Sequence, residues 1–200
     1  MSRCAHWLSA ALLRLVGWRL MDAPEPHPPK AVVMIYPHTS NWDFPLGLLY
    51  RFSAAQPIHW AAKDTLFFWP IGVLFRAIGG VPVNRRERTG FVDQMTKEFA
   101  ANPHFWLGIA PEGTRSATGH LKSGFYRLAL NARVPLALAA IDFARREVGV
   151  FGYLEPSGNE SADLAALAAA YAGRRGKHPH QQAPIVFPEI DQALRQRGGA

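Results

Sequence analysis

The sequence predicts an α/β fold: a single-domain sandwich with a mostly parallel or mixed sheet flanked by helices, plus an N-terminal amphipathic helix. Two hundred residues are the length of one domain with a substantial core. With 48% hydrophobic and 18% charged residues, the chain has the composition of a globular protein and not of a disordered one. Short apolar runs alternate with helical segments, which favours strand–helix units that place helices on both faces of a sheet.

Residues 1–21 predict an amphipathic helix lying in the plane of a membrane surface. Its apolar stripe comprises Trp7, Leu8, Ala11, Leu12, Leu15 and Val16. Arg3 and Arg14 lie off this stripe. Arg14 interrupts the continuous apolar run that a spanning helix or a signal peptide needs, which disfavours both. A signal peptide and an ordinary helix packed on the domain are the alternatives. Residues 22–30 contain four prolines and predict a stiff linker, so that the catalytic domain would comprise residues 31–200.

The first strand–turn–helix unit carries a histidine and an aspartate that can act together. The apolar run 31–36 predicts a buried strand, and Asn41 or Asp43, followed by Pro45, predicts the start of a helix. His38 would then lie in the turn, where Asp43 can accept from one imidazole nitrogen and leave the other free as a base. A polar capping run with an incidental histidine is the alternative interpretation.

The rest of the chain continues the alternation. We expect strands at 57–61, 81–83, 105–109, 134–143 and 148–153. The strand at 81–83 should lie at a sheet edge, because Pro82 cannot donate to a central ladder. We expect helices at 44–55, 89–101, from about 121, and at 160–172. Residues 66–75 are unusually aromatic and predict core, the wall of a groove, or a membrane-facing patch.

Three further motifs follow the His-x4-Asp element: Gly-Gly-Val-Pro-Val-Asn-Arg at 79–85, Ala-Pro-Glu-Gly-Thr-Arg-Ser at 110–116, and Val-Pro-Leu at 134–136. In this order they resemble the glycerolipid acyltransferase superfamily, the group of lysophosphatidic acid and glycerol-3-phosphate acyltransferases. The resemblance spans roughly residues 31–145. One departure is Ala139, which stands about where the family's fourth motif usually ends in a second proline, so the acceptor region is expected to differ in shape.

The resemblance implies an O-acyltransferase that works without a metal or other cofactor. His38, oriented by Asp43, would take the proton from a hydroxyl of the acceptor, which then attacks an acyl thioester. The donor would be acyl-CoA or acyl carrier protein. By analogy, the acceptor would be a lysophospholipid such as 1-acyl-glycerol-3-phosphate. The alternatives are a catalytically silent lipid-binding relative and an acyltransferase for a non-glycerol acceptor.

The same resemblance implies a set of substrate-binding residues: Arg85, Glu112, Gly113, Thr114, Arg115, Ser116, Lys63 and Lys122. A glycine turn with two hydroxyls and an arginine can hold a phosphate dianion through fixed N–H donors and a bidentate guanidinium. Glu112 is expected to position an arginine or an acceptor hydroxyl. Lys63 and Lys122 are weaker candidates for contacts to the phosphate or to the carrier of the thioester.

The charge of the chain favours a polyanionic partner. The net charge is +7 and the pI is near 10.0, which suits nucleic acid or an anionic membrane surface. The sequence carries no zinc finger, RNA-recognition signature or basic zipper, so we expect a membrane and no nucleic acid. Since no apolar run is long enough to span a bilayer, we expect a peripheral protein on the cytoplasmic face of the cell membrane.

Overall fold

The computed structural model describes residues 3–54, 56–83 and 90–188. Its strands are β1 (Arg19–Met21), β2 (Lys30–Ile35), β3 (Ile58–Lys63), β4 (Gly80–Val83), β5 (Phe105–Ile109), β6 (Leu136–Asp142) and β7 (Glu147–Leu154). They form one mixed sheet in the order β1-β7-β6-β2-β5-β3-β4. β6 and β7 are antiparallel, and the other neighbours are parallel. The predicted mixed α/β sandwich is confirmed, and β4 lies at the edge as its proline predicts.

Helices cover both faces of the sheet. They are α1 (Arg3–Leu15), α2 (Asp43–Ser53), α3 (Ile71–Ala77), α4 (Gly90–Ala101), α5 (Gly124–Ala132) and α6 (Glu160–Ala170). Buried side chains of α1 and α2 pack on one face, and those of α4, α5 and α6 pack on the other. α3 joins the first face, where Trp60 of β3 makes edge contacts with Phe44 of α2 and Phe75 of α3.

The central strand β2 shows why the chain folds in this way. Val32 and Met34 enter the core on one face, whereas Ala31 and Val33 enter the core on the other. A strand buried on both faces needs an uninterrupted apolar run, which is what residues 31–36 provide. β5 runs parallel to β2 with Met34 opposite Ile109. The loops that follow β2 and β5 therefore leave the sheet on the same side, at the carboxyl ends of the parallel strands.

The structure corrects the predicted domain boundaries at the N-terminus. Residues 19–21, which we assigned to the first helix, form β1 and pair with β7. On α1, Leu13 is fully buried in the core. The proline-rich stretch does not separate the helix from the domain either, because Pro28 and Pro29 accept hydrogen bonds from Trp106 and Phe105. The N-terminal segment is thus part of the domain, as the alternative of a packed helix predicts.

The large apolar side chains that face solvent are concentrated on one side of the molecule. In the described part of the chain they are Trp7, Leu8, Leu12, Leu15 and Val16 near α1, Trp42 and Phe44 at the start of α2, and Leu66, Phe68, Trp69, Ile71, Val73 and Leu74 around α3. We call these residues the apolar face. No helix of the described residues is both long and apolar enough to cross a bilayer.

Candidate active site

His38 and Asp43 meet in the loop between β2 and α2. Nδ1 of His38 lies 3.1 Å from Oδ2 of Asp43. The ring is not aligned for a hydrogen bond at this distance, as is common at catalytic pairs that hold no substrate. Asp43 is 3% exposed, whereas the His38 side chain is 17% exposed. A buried carboxylate therefore faces Nδ1, and the more accessible imidazole can present Nε2 to a substrate.

Short-range hydrogen bonds shape this loop. Oδ2 of Asp43 accepts from the Ser40 N–H at 3.0 Å, and Oγ of Ser40 accepts from the Trp42 N–H at 3.2 Å. Asp43 is also the first residue of α2, where the positive end of the helix dipole favours a negative charge. Asp43 is thus both the first residue of α2 and the carboxylate that faces the imidazole.

Glu112 holds His38 from the other side. Its Oε2 accepts from the His38 N–H at 2.5 Å, and its Oε1 accepts from the Ala183 N–H at 3.0 Å. The residue is 2% exposed. Burial raises the pKa of its carboxyl, and the two backbone hydrogen bonds offset part of this effect. Each carboxylate oxygen accepts from a backbone N–H group, so Glu112 joins the backbone at His38 to the backbone at Ala183. The role predicted for Glu112, to position an arginine or an acceptor hydroxyl, stays a prediction.

The rest of this motif, residues 113–116, forms an exposed turn beside His38. Gly113 adopts a φ of +68°, in the left-handed region that favours glycine. A β carbon at this position would lie 2.6 Å from Nζ of Lys122, so the Lys122 side chain passes directly over the turn. Thr114 Oγ1 accepts from the Ser116 N–H at 3.3 Å. The structure therefore brings Lys122 together with Gly113, Thr114, Arg115 and Ser116.

The remaining two predicted binding residues are Arg85 and Lys63. Arg85 lies outside the described residues. Lys63 ends β3 opposite Val83 and is exposed, and no hydrogen bond or ion pair joins it to His38 or to the 113–116 turn. Within the described ranges, no three His, Cys, Asp or Glu side chains are arranged to hold a metal ion.

An apolar cavity of about 120 Å³ opens beside His38 and Asp43. It lies between α2 and the sheet, and its walls include Val33, Ile35, Phe44, Gly47, Leu48, Ile58, Trp60, Gly108, Ala139 and Ile141. Arg51 also borders it and follows Asp43 by eight residues on α2, so the cavity extends about 12 Å along the helix. Ala139, the residue at which the sequence departs from the family's fourth motif, lies on β6 and lines this cavity. The cavity was not predicted from the sequence. The feature of the sequence that indicates it is the presence of small residues, Gly47, Gly108 and Ala139, in helices and strands whose other residues are mostly large and apolar.

The site also includes residues 176–183, a segment to which the sequence motifs assign no role. Residues 176–183 contact the His38 loop through Thr39, which accepts from the His178 N–H at 3.1 Å. They contact Glu112 through the Ala183 N–H. Nothing local in the sequence signals these contacts, because they join residues more than seventy positions apart along the chain.

Comparison with known proteins agrees with this arrangement. Residues 21–141, more than half of the chain, match the model of the Acyltransferase family. The fold is similar to the crystal structure of the 1-acyl-sn-glycerophosphate (LPA) acyltransferase PlsC from Thermotoga maritima, with a TM-score of 0.54 and 17% identity over 84% of this chain and 75% of that chain. A search of curated proteins found no match. The family predicted from the motifs is confirmed: this chain belongs to the acyltransferase family.

Proposed function

We propose that the protein transfers a fatty acyl group from an acyl thioester to a hydroxyl of a lysophospholipid, with 1-acyl-glycerol-3-phosphate as the model acceptor. The observation that carries this proposal is the position of His38, between a buried carboxylate and an apolar cavity. A base is needed where the acceptor hydroxyl meets the thioester, and an apolar space is needed where the acyl chain lies.

The proposed reaction uses His38 as a general base and then as an acid. Nε2 takes the proton of the acceptor hydroxyl while the oxygen attacks the carbonyl carbon of the thioester. The carbon–sulfur bond then breaks, an ester forms, and the departing thiolate receives the proton from the imidazolium. Asp43 stabilises the imidazolium, because its carboxylate lies 3.1 Å from Nδ1.

The cavity suits the acyl chain of the donor. It begins at His38 and Asp43, and its walls are mostly aliphatic and aromatic. An alkyl chain buried here leaves water, at a gain of about 0.8 kcal/mol per buried methylene group. We propose that this gain holds the thioester carbon next to His38.

An assay of thiol release tests the function directly. Free thiol is measured from acyl-CoA and from acyl carrier protein, with and without 1-acyl-glycerol-3-phosphate. We expect release that requires the acceptor and that increases from acetyl to long-chain donors. Lipid binding without thiol release would indicate a catalytically silent relative, and a preference for acetyl donors would contradict the role given to the cavity.

Arg115 is proposed to hold the phosphate of the acceptor. The residue is exposed, and it lies in a turn with two hydroxyl groups and a nearby lysine. We expect Arg115→Ala to lower kcat/KM for 1-acyl-glycerol-3-phosphate by about 10-fold to 100-fold, since a charge-assisted bond is worth about 1.5–3 kcal/mol. Activity toward the dephosphorylated analogue, a monoacylglycerol, should change much less.

Steady-state kinetics with the two acceptors measures this difference. Lys97→Ala, which removes an exposed cation on α4, is the matched control and should affect neither acceptor. Equal losses on both acceptors in Arg115→Ala would contradict phosphate recognition.

The apolar face is proposed to bind the membrane that supplies the acceptor. Its side chains come from α1, the start of α2 and the segment around α3, next to one another on one side of the sheet. Trp69 is 84% exposed and Leu15 is 83% exposed. Large exposed apolar patches mark interaction sites, and amphipathic helices with tryptophan and arginine insert into lipid headgroups.

Substitution of exposed side chains on α1 tests membrane binding without damage to the core. Deletion of residues 1–21 is unsuitable, because it removes Leu13 from the core and β1 from the sheet. We expect Trp7→Ser, Leu8→Ser and Leu15→Ser together to release most of the protein from anionic vesicles in sedimentation assays. The control replaces Ala165, Ala168 and Ala169, exposed on α6, by serine. Unchanged vesicle binding by the α1 variant would place the membrane contact elsewhere.

A further inference from the structure

The segment that follows α6 closes around both catalytic motifs. Gly176 lies against Thr39, where a β carbon would approach Oγ1 to 2.4 Å, and the His178 N–H donates to the same oxygen. The Ala183 N–H donates to Glu112, and the Ala183 carbonyl accepts from the Tyr36 hydroxyl at 2.6 Å. These residues follow the region 21–141 that matches the family model, yet they complete the site.

Gln181 occupies the centre of this segment, and its carboxamide faces two backbone carbonyl oxygens. A carbonyl can only accept, so the amide nitrogen is the atom directed at them. In this orientation Nε2 donates to the Arg115 carbonyl at 2.8 Å and to the Thr39 carbonyl at 3.2 Å. The two hydrogens of one NH₂ group thus join the residue after His38 to the arginine of the 113–116 turn.

Glu112 fixes the start of the 113–116 turn through the His38 and Ala183 N–H groups, and Gln181 adds a link farther along the turn, at Arg115. The turn's other hydrogen bonds to the residues that the structure describes are local: the Gly113 N–H donates to the Ala110 carbonyl, and the Ser116 N–H donates to Thr114. The turn is also exposed along its whole length. Gln181 therefore supplies a tie between this turn and the loop that carries the base.

We infer that Gln181 is a positioning residue that sets the distance between Arg115 and His38. This inference rests on the proposed function, in which Arg115 holds the phosphate while His38 activates a hydroxyl of the same acceptor. The hydroxyl and the phosphate of one short headgroup must then be held at once. A misplacement of about 1 Å costs on the order of 10²-fold in rate, so the tie matters for the reaction and not only for the fold.

A double-mutant cycle tests the coupling. We expect Gln181→Ala to lower kcat/KM for 1-acyl-glycerol-3-phosphate by about 10-fold to 100-fold. The same change in the Arg115→Ala background should cost about 3-fold or less, because the arginine that Gln181 positions is absent. Gln181→Glu should be at least as harmful as Gln181→Ala, since a carboxylate would face two carbonyl oxygens. Equal losses in both backgrounds, with the fold intact, would overturn the inference.

Hydrogen exchange supplies a readout that does not require activity. We expect peptides that cover 38–43 and 112–118 to exchange faster in Gln181→Ala than in the wild type, with no substrate present. Asn102→Ala is the matched control, since it removes a carboxamide that donates to a backbone carbonyl at the end of α4. Unchanged exchange in the two catalytic loops would overturn the tie. A wild-type protein without acyl transfer would instead overturn the proposed function, and the exchange result would still decide the tie.

Discussion

Replacing His38 by alanine is expected to lower the rate of acyl transfer by about 10²-fold to 10⁴-fold, the usual contribution of a general base. The fold should be kept, because the His38 side chain is partly exposed at the edge of the cavity. The backbone N–H that bonds Glu112 is also retained in the variant. Acceptor-dependent thiol release measures the rate, and circular dichroism with thermal unfolding verifies the fold.

His104→Ala provides a matched control for this experiment. His104 is exposed and precedes β5, so it lies at the amino ends of the parallel strands, whereas His38 lies at their carboxyl ends. Its removal should leave thiol release unchanged. Near-full turnover by folded His38→Ala protein would exclude the histidine as the base and leave orientation of the substrates as the source of catalysis.

The features of the fold that could be predicted are those that depend only on the residues of one segment. β2 is a continuous apolar run, and an antiparallel or solvent-facing strand would show alternation instead. Pro82 predicts the edge position of β4, because a proline cannot donate to a neighbour on its ring side. β1 was missed, since three residues are too few for a periodic pattern and their order depends on pairing with β7.

In the candidate site, too, the local contacts could be predicted from the sequence and the long-range contacts could not. His38 and Asp43 are five positions apart, so the turn and the first helical residue are enough to bring them together. Glu112 could not be assigned from the sequence, because its role depends on which backbone groups arrive from elsewhere. Its partners are the N–H groups of residues 38 and 183, at separations along the chain of 74 and 71 positions. The cavity could not be predicted from the sequence either, since its walls come from α2 and from several strands.

The buried position of Glu112 leads to a prediction about stability. We expect Glu112→Gln to lower the free energy of unfolding by about 1–3 kcal/mol, because the amide NH₂ would face a backbone N–H and leave it unpaired. For a chain of this size the midpoint of thermal unfolding falls by about 2–4 °C per kcal/mol. Glu112→Ala should be worse, since it leaves the N–H groups of His38 and Ala183 both unpaired in a buried place.

Stability and turnover should fall together in these variants, because Glu112 holds the backbone of His38, the proposed base. Thermal unfolding and steady-state kinetics on the same preparations distinguish a residue that holds the His38 backbone from a residue that contacts the acceptor. If Glu112 instead contacted the acceptor, its substitution would raise the KM for the acceptor and leave the midpoint of thermal unfolding unchanged, and that result would support the predicted binding role. Glu155→Gln, at an exposed carboxylate after β7, is the control and should change neither quantity. Glu112 is expected to differ from it because the Glu112 carboxylate is buried and each of its oxygens has a backbone donor.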